Sequence, residues 1–177
     1  MASEAEIRLT GTSYVVLGML DWIGPSTPYR LQRVLEGSVE DFFPIPHTTF
    51  YVEPTRLTKG GYLKETRERG GRRRKTYDLT AKGRKALSDW VEEPLTEYGQ
   101  FRFPGMLKIF FGADPSAFAR DQARHHRELA QKFEGYRTGI KQRGVDVPEG
   151  RRLVLDTGIE LHRWWAERWQ HVADQTE

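Results

Sequence analysis

The sequence predicts a mainly α-helical protein with one small β-hairpin, divided into an N-terminal part, residues 1–95, and a C-terminal part, residues 96–177. Apolar residues recur at helical spacing over most of the chain. The glycine pair at 70–71 separates two strand-like runs, and glycine supplies the positive φ that a tight two-residue hairpin turn requires. Residues 94–105 are rich in proline and glycine, so we place the boundary between the two parts there.

Composition limits the class of protein. At 177 residues the chain has room for one ordinary domain, or for a small domain with a helical appendage. It contains no cysteine, which excludes disulfides and thiolate metal sites. No apolar run approaches the roughly 20 residues that span a bilayer, and the first residues are acidic where a signal peptide would be basic. We therefore expect a soluble cytoplasmic protein that makes no membrane contact.

The first two helices are predicted from apolar spacing and end signals. Apolar residues recur at helical spacing over residues 12–22, and the Gly-Pro pair that follows ends this helix. Thr27 caps a second helix that runs to about residue 36. Pro28 fits its first turn because the amide that proline lacks would be unpaired there. Residues 37–46, rich in proline and acid, form a loop.

A third helix opens at Thr48 and has two contrasting faces. Phe50 and Leu57 lie seven residues apart on an apolar face. Pro54 lies inside the helix, where it removes a backbone hydrogen bond and clashes with the previous turn at a cost of roughly 3 kcal/mol. We therefore expect the helix to be kinked or to start late. The opposite face is polar and basic, suited to the edges and phosphates of a nucleic-acid groove, and carries Thr48, Tyr51, Thr55, Arg56 and Lys59.

The predicted hairpin, with strands at residues 62–69 and 72–79, concentrates positive charge. Residues 54–85 hold twelve basic and three acidic residues, a net charge of +9, whereas residues 1–53 hold three basic and seven acidic residues, a net charge of −4. Like charges on one hairpin repel each other, and an acidic partner that releases counterions is the usual compensation. The pattern favours the phosphates of double-stranded DNA as that partner, with a solvated charged hairpin as the alternative.

Two further helices are predicted after the hairpin. Thr80 is the N-cap of the first, residues 81–93, which places Leu87, Trp90 and Val91 on its inner side. Residues 101–111 are too apolar and aromatic for a linker, so we expect them to pack as a short buried helix.

Two long helices are predicted in the C-terminal part. One begins after the Asp-Pro pair at 114–115, and the other begins at about residue 151 after a turn at 144–150. Each carries a narrow stripe of apolar and aromatic residues three and four apart. Two such helices cannot hide both stripes against each other completely, so we expect a homodimer. Its expected interface residues are Phe118, Leu129, Phe133, Tyr136, Leu155, Trp165 and Trp169.

Several of these segments resemble a known family. They read SYVVLGML, TPYRLQRVL, RLTKGGYL and KTYDLTAKGRKAL, and the most specific element is the pattern K-x-Y-x-L-T-x-x-G, formed by Lys75, Tyr77, Leu79, Thr80 and Gly83. Together they resemble the winged helix-turn-helix domain of PadR-type transcriptional regulators, from about residue 13 to residue 95. LKIFFG at 107–112 is similar to the start of the longer C-terminal domain of part of that family. Pro54 departs from the apolar core residue usual at its position.

The resemblance implies a DNA-binding function. The third helix would enter the major groove, with Tyr51 matching the family's helix tyrosine, and the hairpin would reach the flanking backbone or minor groove. A two-fold dimer would bind an inverted-repeat operator, and we favour repression over activation. The residues expected to contact DNA are Thr48, Thr49, Tyr51, Thr55, Arg56, Lys59, Arg69, Arg72, Arg73, Arg74 and Lys75.

An enzyme is disfavoured by the motifs of the sequence. It has no phosphate-binding loop, no G-x-S-x-G and no H-E-x-x-H. His125 and His126 are adjacent and point in different directions, while His162 and His171 are too far apart in register to share a ligand. We expect no cofactor and no metal, with each histidine half-buried between helices.

Other binding functions stay open at this point. Trp90, Trp164 and Trp165 are candidates for a pocket that takes a small aromatic effector, since some PadR-like proteins sense such molecules, although aromatic residues at helical spacing more often form core or interface. A winged helix that binds protein would have an apolar recognition face and a neutral wing, which the basic hairpin disfavours. An RNA role would want exposed aromatic residues among the bases.

Overall fold

The computed structural model describes residues 7–36, 38–67, 74–94, 96, 99 and 103–176, and its chain forms two compact units, Met1–Glu97 and Tyr98–Glu177. The predicted class, mainly helical with one antiparallel hairpin, is confirmed. The first unit contains α1 (Gly11–Ile23), α2 (Pro28–Leu35), α3 (Thr49–Lys59), β1 (Leu63–Arg67), β2 (Lys75–Leu79) and α4 (Ala81–Glu92). The second contains α5 (Pro104–Phe110), α6 (Ser116–Gln142) and α7 (Glu149–Gln175).

Threonine caps begin three helices of the first unit. The predicted caps of α2 and α4 are confirmed, because Thr27 accepts a hydrogen bond from the Arg30 amide and Thr80 accepts one from the Gly83 amide. Thr10 caps α1 in a reciprocal pair of bonds with Ser13. Each cap satisfies an amide that the first helical turn leaves without a partner, which fixes where the helix starts.

The core of the first unit holds α3 against α1, α2 and the hairpin. Phe50 and Leu57 are completely buried, as their spacing predicted. The other fully buried apolar side chains come from α1, α2 and both strands, and include Val16, Leu17, Leu31, Leu35 and Tyr77. Burying one such side chain stabilises the fold by roughly 1.5–3 kcal/mol, so α3 has little freedom to rotate about its axis.

Of the two alternative effects expected from Pro54, a late start of α3 is wrong, and a kink stays a prediction. The helix runs from Thr49 through Pro54 to Lys59, and a tighter turn leads into it, in which Phe50 N donates to His47 O at 3.3 Å. Pro54 is fully buried. Its side chain contributes to the core, and this burial offsets part of the backbone cost of a proline inside the helix.

The hairpin pairs Leu63 with Leu79 and Arg67 with Lys75. A two-residue turn at 70–71, as predicted, would place Leu63 opposite Asp78, so the register implied by that turn is wrong by one residue. The turn itself and the strand ends at 68–73 lie outside the described residues. Leu63, Glu65, Arg67, Lys75 and Tyr77 share one face, because side chains alternate along a strand.

Gly83 is the last residue of the K-x-Y-x-L-T-x-x-G pattern, and the structure leaves no room for a larger residue there. A side chain there would collide with the carbonyl oxygen of Tyr62, because the first turn of α4 lies directly on the residues that follow α3. Trp90 stacks on Tyr14 of α1 with ring centroids 4.5 Å apart, which attaches the other end of α4. Val91, predicted on the inner side of α4, is instead 69% exposed.

The second unit is built on the antiparallel pair α6 and α7. Small residues of α6, Ala119, Ala123 and Ala130, are buried and allow close approach of Trp169 and Ile159 on α7. α5 was expected to be buried, but this is wrong within one chain: none of its residues is buried, and Phe110 is 81% exposed. Across the described ranges, every helix is too short or too polar to cross a lipid bilayer.

Replacing Pro54 by alanine should stabilise the first unit. The change restores an amide that can donate to the Phe50 carbonyl and removes a ring clash, a gain of about 3 kcal/mol that lost packing reduces to about 1–2 kcal/mol. The melting temperature should therefore rise. Pro28→Ala is the matched control, because Pro28 lies in the first turn of α2, where no hydrogen bond is lost. An equal response of the two variants would contradict a strained α3.

Candidate nucleic-acid interface

The outer face of α3 is open to solvent, and so is Thr48, just before the helix. Thr48 and Lys59 are exposed, Tyr51 is 56% exposed, and Thr49 and Thr55 are half-buried. Val52, which is not among the residues expected to contact DNA, is 66% exposed on the same helix. An exposed valine beside an exposed tyrosine is a signal that the sequence contained, because neither fits the stripe set by Phe50 and Leu57.

Arg56 lies on the other side of α3, against α1. Its guanidinium binds the Glu53 carboxylate through two nitrogens, Nε to Oε2 at 2.8 Å and Nη2 to Oε1 at 2.6 Å. It also donates to the Arg8 carbonyl and the Ser13 hydroxyl, both at 2.9 Å. The guanidinium is thus committed within the protein, and the DNA contact predicted for Arg56 stays a prediction.

Glu53 is the buried acid whose carboxylate accepts the hydrogen bonds of Arg56. Its side chain accepts a further hydrogen bond from the Ser13 hydroxyl at 2.6 Å, and the residue is only 8% exposed. The hydrogen bonds from Arg56 and Ser13 hold the pKa of Glu53 below its ordinary value, although burial opposes this. The ionised pair therefore links α3 to α1 and to the segment before α1.

The described part of the wing, which we define as β1, β2 and the segment between them, carries both free and paired bases. Arg74 is exposed, and Lys75 is half-buried with its ammonium 3.1 Å from the Glu65 carboxylate. Lys64 pairs with Asp78 on the opposite face at 2.9 Å. The predicted contacts Arg69, Arg72 and Arg73 lie outside the described residues.

Some bases counted in the sequence serve the fold instead. Lys82 donates to the Gly60 carbonyl at 2.8 Å, and Arg84 donates to the Leu79 carbonyl at 3.1 Å. A cation at the carboxyl end of α3 also complements the partial negative charge of the helix dipole there. The charge available to a partner is therefore smaller than the net charge of the segment.

The residues predicted at a dimer interface lie mainly between α6 and α7 of one chain. Phe133 and Trp169 are buried there, while Phe118, Leu129, Tyr136, Leu155 and Trp165 are half-buried. Phe103, Phe118, Trp165 and Trp169 form one aromatic cluster with ring centroids 5.2 to 5.9 Å apart. The large apolar residues of the unit that are exposed are different ones: Met106, Leu107, Phe110, Phe111, Val145, Leu153, Val154, Leu161 and Trp164.

The three tryptophans predicted for an effector pocket have different surroundings. Trp90 belongs to the first unit, where it borders an open recess whose lining includes Asp89, Glu92 and Glu93. These carboxylates would disfavour an anionic ligand in that recess. Trp164 and Trp165 are neighbours on α7, the first exposed and the second half-buried in the aromatic cluster. The effector pocket stays a prediction.

A histidine pair that sequence reasoning missed joins α6 to α7. The Nδ1 atoms of His126 and His162 are 2.9 Å apart, so one ring donates to the other. Burial, together with the nearby His162 and His125, lowers the pKa of His126 to about 4. No cluster of three or more potential metal ligands occurs among the described residues.

The first unit therefore has the architecture of a winged helix-turn-helix domain: α2 and α3 form the helix pair, and a basic hairpin follows. The sequence model of the "Transcriptional regulator PadR-like family" matches residues 16–89. The matched residues make up most of the first unit, which is therefore similar to the domain that defines this family of transcriptional regulators.

Solved structures share this fold over nearly the whole chain. PadR of Bacillus subtilis in complex with operator DNA matches with a TM-score of 0.81 at 20% identity, covering 97% of this chain and 100% of that one. The same protein in complex with p-coumaric acid gives 0.72 at 20% identity, covering 96% and 98%. The virulence activator AphA of Vibrio cholerae gives 0.72 at 18% identity, covering 93% and 97%. No curated protein matches the sequence significantly.

The histidine pair should make the second unit sensitive to mild acid. Because the folded state holds the pKa of His126 near 4, against 6.5 ordinarily, unfolding takes up a proton below about pH 6.5. The stability that depends on a neutral His126 is complete above about pH 6.5 and is lost as the pH falls towards 4. The melting temperature followed by circular dichroism should fall between pH 7 and pH 5, and His126→Gln should reduce the fall. His125→Gln, at the exposed neighbour, should not; equal falls in all three proteins would refute the role of the pair.

Proposed function

We propose that the protein is a sequence-specific DNA-binding regulator that acts as a homodimer, with α3 in the major groove and the wing on the flanking backbone. The observation that carries this proposal is the open outer face of α3 beside a basic hairpin. Its exposed residues, Tyr51, Val52 and Lys59, lie outside the hydrophobic core of the unit. A helix that presents such side chains fits the width of the major groove.

Different exposed residues of α3 would contact different groups of the DNA. Val52 offers an apolar surface suited to a thymine methyl group, and the Tyr51 hydroxyl can donate to or accept from a base or phosphate. Thr48, Thr49 and Lys59 lie at the two ends of the helix, where phosphates would pass. Arg56 is left out of this proposal because its guanidinium binds Glu53.

The wing would supply the phosphate contacts. Arg74 and Lys75 lie at the described edge of the hairpin, and Arg69, Arg72 and Arg73 precede them in the sequence segment between the strands. These contacts would give affinity and orientation without reading the base sequence. Preference among sequences would then depend on α3.

A second copy of the chain is the proposed occupant of the exposed apolar surface of the second unit. Val154, Leu161 and Trp164 recur at helical spacing along the solvent side of α7, and Phe110 and Phe111 are exposed at the end of α5. An apolar stripe of this length on a water-soluble surface marks an interaction site. A two-fold dimer would bind an inverted-repeat operator with half-sites about one helical turn apart.

We propose repression as the direction of regulation, since a dimer that occupies an operator blocks a promoter most simply. The solved relatives include both a PadR bound to operator DNA and a protein named as a virulence activator. Release by a small aromatic effector is proposed because one relative was solved with p-coumaric acid. Trp90, Trp164 and Trp165 are the residues at which we would look for that effector.

Removing one wing base should weaken DNA binding and its salt dependence. Arg74→Ala should lower affinity for all duplexes and reduce the slope of log affinity against log salt by roughly one unit, because one fewer counterion is released. Arg152→Ala removes the same charge from α7 in the second unit and should leave the slope unchanged. Titration of a fluorescent random-sequence duplex at several salt concentrations measures both. Equal slopes for Arg74→Ala and the unaltered protein would exclude a phosphate contact at Arg74.

A charge within the apolar stripe of α7 should separate the subunits. Leu161→Glu would place a carboxylate in a desolvated interface, at a cost large enough to shift the protein towards monomer. Thr138→Glu adds the same charge to an exposed polar site of α6 and should leave the mass unchanged. Sedimentation velocity reports the mass of each variant. A dimeric Leu161→Glu protein would place the interface elsewhere.

A further inference from the structure

Glu65 occupies the centre of a hydrogen-bonded group at the base of the wing. Its Oε1 accepts from Arg67 Nε at 2.7 Å, and its Oε2 accepts from Lys75 Nζ at 3.1 Å and from the Tyr77 hydroxyl at 3.2 Å. The Glu65 side chain is only 16% exposed, whereas those of Arg67 and Lys75 are 64% and 42% exposed. The carboxylate is therefore inside, and the two cations that it holds face solvent.

These hydrogen bonds hold Glu65 in its ionised form. The bonds from Arg67, Lys75 and Tyr77 lower the pKa of Glu65 despite its partial burial. Charge-assisted hydrogen bonds of this kind are short and directional, so they restrict the rotamers of the long side chains that donate them. The side chains of Arg67 and Lys75 are thus restricted in their rotamers before any partner binds.

Tyr77 continues the group to α3. Its ring is 1% exposed in the core, and its hydroxyl oxygen is 3.3 Å from the Thr55 hydroxyl. The single proton of the Tyr77 hydroxyl goes to Glu65, so Thr55 is the donor in a bond between the two hydroxyls, although the same Thr55 proton also has the Tyr51 carbonyl within reach at 3.4 Å. When Thr55 donates to Tyr77, a continuous path of hydrogen bonds runs from the bases of the wing to the helix that faces the groove.

We propose that Glu65 is a positioning residue for DNA binding, which directs Arg67 and Lys75 towards the phosphates and keeps the wing in a fixed relation to α3 through Tyr77 and Thr55. This inference rests on the proposed function. The competing explanation is that Glu65 only neutralises part of the positive charge of the wing. The two explanations predict effects of opposite sign, because DNA is a polyanion.

Coulomb's law gives the sign for simple neutralisation. Removing a negative charge from a DNA-binding surface strengthens the attraction for any duplex. Loss of positioning has the opposite result: Glu65→Gln keeps the size of the side chain, but it replaces one carboxylate oxygen by an amide group that cannot accept, so the bonds of that oxygen are lost and the remaining ones are no longer made to a charged acceptor. The freed bases must then lose rotamer freedom on binding, which weakens affinity.

The experiment compares Glu65→Gln with Asp78→Asn on two duplexes, one of random sequence and one selected from a random pool by the unaltered protein. Asp78 is the matched control, because it lies on the opposite face of the same hairpin and pairs with Lys64. Glu65→Gln should weaken binding to the selected duplex by about tenfold and reduce its preference over random sequence. Asp78→Asn should keep that preference and bind both duplexes equally well or more tightly.

Tyr77→Phe tests the link to α3 separately. It removes only the hydroxyl and leaves the bonds of Glu65 to Arg67 and Lys75, so random-sequence affinity should hold while preference for the selected duplex falls. Melting temperatures of all variants identify any loss of folding. If Tyr77→Phe keeps the full preference, the link to α3 is overturned.

Two further outcomes separate this inference from the function on which it rests. Tighter binding of both duplexes by Glu65→Gln, as for Asp78→Asn, would overturn the positioning role while leaving DNA binding intact. If Glu65→Gln fails to fold, Glu65→Asp replaces it, and positioning then predicts the same loss because the shorter side chain cannot reach all three donors. Absence of binding by the unaltered protein at low salt would overturn both proposals.

Discussion

The ion pair between Glu53 and Arg56 is the constraint on which the orientation of α3 depends. A carboxylate that is nearly buried destabilises a fold unless charged partners satisfy it, and removing one partner of such a pair is strongly destabilising. Arg56 and Ser13 donate to the Glu53 carboxylate, and the Arg8 carbonyl accepts from the Arg56 guanidinium, so together these bonds attach α3 to α1 and to the segment before it. With its inner side committed in this way, α3 presents Tyr51 and Val52 to solvent.

The positive charge of the first unit is divided between the fold and a partner. Lys82 and Arg84 end on backbone carbonyls, Arg56 ends on Glu53, and Arg67 and Lys75 are held by Glu65 yet stay largely exposed. A net charge counted along the sequence cannot separate these uses, since each depends on which acid or carbonyl the fold brings near. The hairpin is therefore basic, and Glu65 holds two of its exposed basic side chains, Arg67 and Lys75, in place.

The apolar residues of the second unit are likewise divided between contacts within the chain and an exposed surface. Periodicity alone predicted two striped helices, and the stripes containing Phe133 and Trp169 meet inside one chain. The residues that stay exposed, among them Leu161 and Trp164 on α7 and Phe110 at the end of α5, lie outside those stripes. A helix with two apolar sides cannot be assigned a partner from spacing, because spacing does not show which side its neighbour covers.

The sequence by itself determined the local structure of this protein: the capping threonines at 27 and 80, the hairpin, the two long helices and the PadR-like pattern all depend on interactions within a few residues or on periodicity. The tertiary structure alone decided which polar side chains are free to act. The DNA contact of Arg56 stays a prediction, and the structure shows that its guanidinium binds Glu53 and Ser13, the latter 43 residues away in the sequence. His126 and His162 meet for the same reason: contacts across long stretches of chain depend on how the helices pack, which no local pattern records.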